Sequence, residues 1–151
     1  MTAYPGSCSS WPSAVGVLRE RVARSMWADL MLITSPRRPH TLLVGPEGLT
    51  ASIVDAWRED FLEPVRMYDC AASPDLTQEA GTMILWHVES LNVRGQDQLM
   101  ARLDSSHGSV QIISVARCSP FARVQYGCFP DALYRRLSVV YICVDDPTAD
   151  R

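Results

Sequence analysis

Lysine is absent: all 14 basic residues of the 151-residue chain are arginine. Chemistry that needs an ammonium group is therefore excluded, whether a Schiff base, a lysine general base or a phosphate-loop lysine. A GC-rich genome that favours arginine codons accounts for the same bias, and the exclusion holds under either cause. No apolar run approaches the roughly 20 residues needed to cross a bilayer. Met1 to Trp11 has no basic cluster followed by an apolar stretch, which argues against a signal peptide. Cysteine is sparse and scattered. Cys8, Cys70, Cys118, Cys128 and Cys143 are odd in number and form no C-x-x-C pair, a poor framework for disulfides or structural zinc. Positive charge is also missing: a net charge of -3 and a pI near 5.5 give no electrostatic reason to expect nucleic acid as the main partner. A cytoplasmic globular domain is the expectation.

What is present fits that expectation. The chain is 47% hydrophobic and 21% charged, which argues against intrinsic disorder, and its length suits one domain. Residues 1–12, with Pro5, Gly6, a serine cluster and Pro12, read as a flexible lead-in. Ser13 can cap a helix running to about Leu30, with Val15, Leu18, Val22 and Met26 on one stripe. Leu30 to Ile33 reads equally as a short strand or as the end of that helix. Pro36 and Pro39 make Ser35 to His40 a loop.

After that loop the pattern becomes regular. Thr41–Val44, Val65–Cys70, Thr82–Val88, Val110–Val115 and Ser138–Val144 read as strands. Helices are expected over Thr50–Leu62, Gln96–Leu103 and Phe129–Leu137, the first with Ile53, Val54, Trp57 and Phe61 facing one way. Strands alternating with helices imply a single α/β domain over residues 13–144 with a mainly parallel five-stranded sheet. Residues 145–151 read as a frayed tail.

Three segments resemble, in order, the ATPase domain of sigma-54-dependent activators, bacterial enhancer-binding proteins of the AAA+ class. GTMILWHVESL (Gly81 to Leu91) resembles the family's Walker B strand GTLFLDEIEEL. QDQLMARLDS (Gln96 to Ser105) resembles the helix that follows, and FPDALYRRLSVVYI (Phe129 to Ile142) resembles FREDLYYRLNVVPI. Weaker echoes are LLVGPEGLTAS (Leu42 to Ser52) for the phosphate loop LITGESGTGKE and DCAAS (Asp69 to Ser73) for NCAA. The resemblance implies a P-loop NTPase-like AAA+ core, here without the helical lid and without a DNA-binding helix pair.

The family's chemistry maps onto this chain position by position. The vestigial phosphate loop is Gly45, Pro46, Glu47, Gly48, Leu49, Thr50, Ala51 and Ser52. Thr50 replaces the third glycine and Ala51 stands where the lysine belongs, so the loop's main positive charge is gone. Its backbone donors could still keep the shape of a cradle. In the vestigial Walker B strand, Trp86 replaces the aspartate that holds magnesium and His87 the glutamate that polarises water. An indole cannot bind a hard cation; Trp86 is either a plug in the old pocket or an ordinary core aromatic. Arg117 aligns loosely with the family's sensor asparagine. Pro130 occupies the first of two arginine positions that in the family reach a neighbouring subunit's nucleotide, and Arg136 keeps the second. The plain alternative for Arg136 is a salt-bridged helix arginine. Ten residues separate Cys70 from Gly81, so the family's sigma-54-gripping GAFTGA loop has no place.

Two other constellations compete. Cys70, His87 and Cys118 fall near the C-terminal ends of neighbouring strands, where open α/β sheets bind ligands, and are acceptable zinc ligands. Cys70 or Cys118 with His87 or His40 could make a Cys–His hydrolase, although no motif surrounds either cysteine. Buried structural roles compete with both readings, and the expectation is no catalytic residue and no metal site.

The resulting expectation is a catalytically inactive domain acting as a regulatory or protein-interaction module in bacterial transcription control. A protein partner is implied, such as a related AAA+ activator, with no direct DNA binding and no membrane. ATP or ADP binding would be weak and no magnesium site is expected. The alternative function is a small domain holding a nucleotide or other anion on Gly45–Ser52 without hydrolysis. The remnant of a decayed gene is a further alternative.

Overall fold

The computed structural model describes residues 31–105 and 109–144. The expected lead-in, the Ser13-capped helix and the tail lie outside the described residues. Of the ambiguous segment Leu30 to Ile33, residues 31–33 are helical and not a strand, and Leu30 lies outside the described residues.

Five strands form one sheet: β1 (Thr41–Val44), β2 (Val65–Asp69), β3 (Gly81–Trp86), β4 (Val110–Ala116) and β5 (Val140–Cys143). All pairs are parallel and the order is β2-β3-β4-β1-β5. The central strands are the mostly apolar runs, with Thr41, Thr82, Gln111 and Ser114 as buried polar residues within them. Every residue of β1, β3 and β4 is buried, as a sheet covered on both faces requires. The edge strands β2 and β5 are partly exposed, and their compositions are more mixed.

Among the described residues four helices flank the sheet: α1 (Glu47–Trp57), α2 (Val93–Ser105), α3 (Phe121–Gln125) and α4 (Asp131–Leu137); residues 31–33 are helical as well. Alternation along each strand divides the core. Leu43, Ile84, Trp86, Ile113, Val115 and Ile142 pack with Ile53, Val54 and Trp57 of α1, Phe61 and Ile33. Leu42, Val44, Met83, Leu85, Val110 and Ile112 pack on the opposite side with Leu99 and Leu103 of α2 and Leu133 and Leu137 of α4. The stripe of Ile53, Val54, Trp57 and Phe61 thus faces one cluster, as its spacing predicts.

Boundaries moved where local chemistry overrode apolar pattern. β3 stops at Trp86, not Val88, because His87 takes a left-handed backbone (φ 55°) and Val88–Ser90 forms a 3-10 turn. Val88 is apolar because the turn buries it. β2 stops at Asp69, whose carboxylate accepts the Ala71 N–H and caps the 3-10 turn Cys70–Ala72. α4 begins at Asp131, with Pro130 as its cap and Phe129 buried ahead of it. α3 has no counterpart in the sequence reading: none of its five residues is buried, so it has no apolar stripe to read.

Residues 73–80 hold no helix or strand. They are nonetheless tied down: Leu76 is buried, and Gln78 donates to the carbonyls of Pro64, Ala80 and Thr82 at 2.8, 2.7 and 3.1 Å. The ten residues between Cys70 and Gly81 form a short tether against the sheet.

Candidate functional site

The parallel sheet brings the C-terminal ends of β1, β2, β3 and β4 to one rim. There the loop after β1 departs from expectation. A cradle needs a run of unpaired backbone N–H groups around the ligand. Instead α1 begins at Glu47, capped by Pro46, and the Pro46 carbonyl accepts the Leu49 and Thr50 N–H groups at 3.1 and 3.0 Å. Residues 47–52 are helix, so this segment is wound where an open cradle would leave a longer run of free N–H groups. The physical reason is composition: Thr50 and Ala51 favour winding where the family has glycine and lysine.

The hydroxyls here turn inward as well. Thr50 Oγ1 donates to the carbonyls of Pro46 (3.2 Å) and Glu47 (3.1 Å), and Ser52 Oγ to that of Gly48 (2.9 Å). Gly45 is needed for close packing, because a Cβ there would lie 2.6 Å from the Val144 carbonyl oxygen. Gly48 has open space around it and no positive φ. Gly48→Ala is therefore expected to raise stability by about 0.5 kcal/mol, read by urea unfolding. A loss of that size would mean that the loop, not the helix, is the resting form.

At the end of β3, Trp86 is 5% exposed and belongs to the apolar cluster under α1, against which Ala51 also packs. The next residue, His87, reaches two carboxylates. Its Nδ1 lies 3.0 Å from Asp69 Oδ1 at the end of β2, and its Nε2 lies 3.3 Å from Glu47 Oε1 at the start of α1. The hydrogen bond to Asp69, opposed by partial burial and helped by the charges of Asp69, Glu47 and Glu89, raises the His87 pKa above the ordinary value. Reciprocally, the His87 hydrogen bond holds the Asp69 carboxyl below the usual range. Glu89 is buried in the following turn, with Arg117 Nε 3.7 Å from its Oε1, and its backbone carbonyl accepts the Arg123 guanidinium.

No family profile and no curated protein matches the sequence. Solved structures do match in three dimensions. NtrX from Brucella abortus in complex with ATP aligns with a TM-score of 0.59 at 17% identity, over 88% of this chain and 36% of that one. The P-loop NTPase domain of the sigma-54 transport activator from E. coli aligns with a TM-score of 0.59 at 16% identity, over 82% and 96%. The RuvB Holliday junction branch migration motor of Thermotoga maritima gives 0.52 at 15% identity, over 84% and 44%. The fold is a P-loop NTPase core of the AAA+ kind. The chain spans 36% of the length of the ATP-bound NtrX chain.

Within this fold the expected residues divide into those that meet and those that do not. Glu47 and His87 come together, joined by Asp69, whose part went unnoticed in the sequence. Trp86 lies buried on the α1 side. Arg117 faces Glu89. Arg136 is bonded to the Asp104 carboxylate and, at 2.9 Å, to the Leu103 carbonyl at the end of α2, which is the salt-bridged reading.

The competing constellations do not assemble. Cys70 is buried in the cluster on the α2 side, and burial, then the charges of Asp69 and Glu89, push its thiol up to about 12, the reverse of an activated nucleophile. Among the described residues no group of three His, Cys, Asp or Glu side chains is placed to hold a metal ion. His40 precedes β1 and lies at the N-terminal ends of the strands, where its Nδ1 accepts the Ile112 N–H at 3.0 Å. At roughly 3.3 Å per strand residue it sits more than about 10 Å from the rim that bears Cys70 and Cys118.

Proposed function

We propose that this chain is a non-hydrolysing AAA+-like domain that acts as a regulatory or protein-interaction module in bacterial transcription control. One observation carries the reading: the indole of Trp86, at the position of the family's magnesium-holding aspartate, is buried in the core beneath α1. Metal and phosphate chemistry there is replaced by packing. The absence of lysine, with Ala51 at its position, points the same way. So does Glu47, whose carboxylate brings negative charge to the helix start that a phosphate would otherwise use. The likeness to NtrX and to the sigma-54 activator domain supports the transcriptional setting. The tethered segment 73–80 supports a partner other than sigma-54, and a related AAA+ activator is the proposed one.

The test is direct. Purified protein with magnesium and ATP is expected to release phosphate at the rate of a blank, and its melting temperature should not change with ATP, ADP or cyclic nucleotides. Phosphate release abolished by substitutions within Gly45–Ser52 would overturn the reading. A nucleotide-dependent rise in melting temperature without hydrolysis would favour the anion-binding alternative. By the same reasoning the chain alone should not open a sigma-54 promoter in a purified transcription system.

A further inference from the structure

We propose that the rim of the sheet is closed by a proton-operated clasp. In it a doubly protonated His87 ties the start of α1 to the end of β2 through Glu47 and Asp69, and loss of one proton releases the Glu47 side. The argument starts from the ring. Both nitrogens face a carboxylate oxygen, Nδ1 toward Asp69 at 3.0 Å and Nε2 toward Glu47 at 3.3 Å. A neutral imidazole has one N–H and one lone pair, so either tautomer would set a lone pair against a carboxylate. Only the imidazolium donates to both.

The backbone presents the ring for this contact. His87 holds left-handed angles (φ 55°, ψ 47°), a conformation that costs a branched residue most and histidine less. The two partners differ in freedom. Asp69 is anchored, because the same Oδ1 accepts the Ala71 N–H at 3.0 Å. Glu47 is a half-exposed side chain on the first residue of a helix, so it is the arm that lets go. The remaining charges around the ring come from the next turn and the loop after β4: Glu89 adds a third carboxylate, and Arg117 faces Glu89.

The pH window follows from the two shifts. The raised His87 contribution is complete below the unfolded value of about 6.5 and is lost as pH rises through the folded one. The lowered Asp69 contribution is complete above its unfolded value of about 3.9 and is lost as pH falls through the folded one. The clasp is thus closed in mildly acidic solution and opens as pH rises past the His87 midpoint.

Nitrogen-detected NMR on the full 151-residue chain tests this. At pH 6 both His87 ring nitrogens should show imidazolium shifts, and the His87 midpoint should lie above that of the urea-unfolded chain. Glu47→Gln should lower the midpoint, and Asp69→Asn should lower it further. Amide exchange over residues 48–51 should accelerate through the midpoint by more than base catalysis requires, and His87→Gln should remove that step. A midpoint at or below the unfolded value, or one that Glu47→Gln leaves unmoved, would overturn the clasp. Both of those readings use the parent fold or an exposed side chain, so they decide the matter even where Asp69→Asn fails to fold.

Discussion

Trp86→Asp should destabilise the domain by about 4 kcal/mol or more, although it restores the residue found at that position in the activator family. The indole is 5% exposed, and its burial contributes on the order of 2–3 kcal/mol through area alone. Emptying such a site adds a cavity, and truncations of buried aromatics typically cost about 3–5 kcal/mol. An aspartate in its place adds an unpaired carboxylate among Leu43, Ile84, Ile113 and Val115. Against a typical total of roughly 5–15 kcal/mol, much of the protein's stability would go. Urea unfolding followed by circular dichroism measures the loss, with Trp86→Phe as a control expected to lose no more than about half as much. A Trp86→Asp protein as stable as the parent would defeat the plugged-pocket reading and reopen the case for a ligand at the rim.

Gly81→Ala is expected to cost a comparable amount, about 2–5 kcal/mol, for a reason that involves no lost contact. Gly81 opens β3 with φ +87°, a left-handed conformation in which a side chain is strained by roughly 1–2 kcal/mol. An added Cβ would also lie 2.3 Å from the Pro64 carbonyl oxygen and 2.7 Å from the Pro64 nitrogen and Cδ. Those are mostly backbone atoms, and they are held: the Pro64 carbonyl accepts the Thr82 N–H at 3.0 Å, and the Gly81 N–H donates to Ser109 at 3.2 Å. The clash must therefore spread into the β2–β3 pairing, adding the 1–3 kcal/mol usual for overpacking. Thermal unfolding reads the effect. A variant within about 1 kcal/mol of the parent would mean that this corner relaxes freely. The contrast with Gly48→Ala, where space is open, separates a glycine required by geometry from one that is not.

The two-sided burial of the central strands is legible in the sequence. Thr41–Val44 and Val110–Val115 are mostly apolar and lack strict polar alternation, as strands buried on both faces do, and they are adjacent in the sheet. That β2 and β5 lie at the edges is set by the strand order of the folded sheet. Residue type alone also establishes that position 51 offers no ammonium group and position 86 no carboxylate, wherever the fold places them. Tertiary structure decided the rest. Whether GPEGLTAS wraps an anion or winds into a helix depends on what competes for its N–H groups, and here the Pro46 carbonyl takes two of them. The pairing of His87 with Asp69, 18 residues away, and with Glu47 has no periodic signature, because parallel strands bring distant chain segments to one rim. Arg136 likewise found Asp104 across 32 residues. Apolar pattern records which face of an element is buried; it carries no record of which charged side chains meet at an element's end, and that is set by strand register and helix placement in the folded chain.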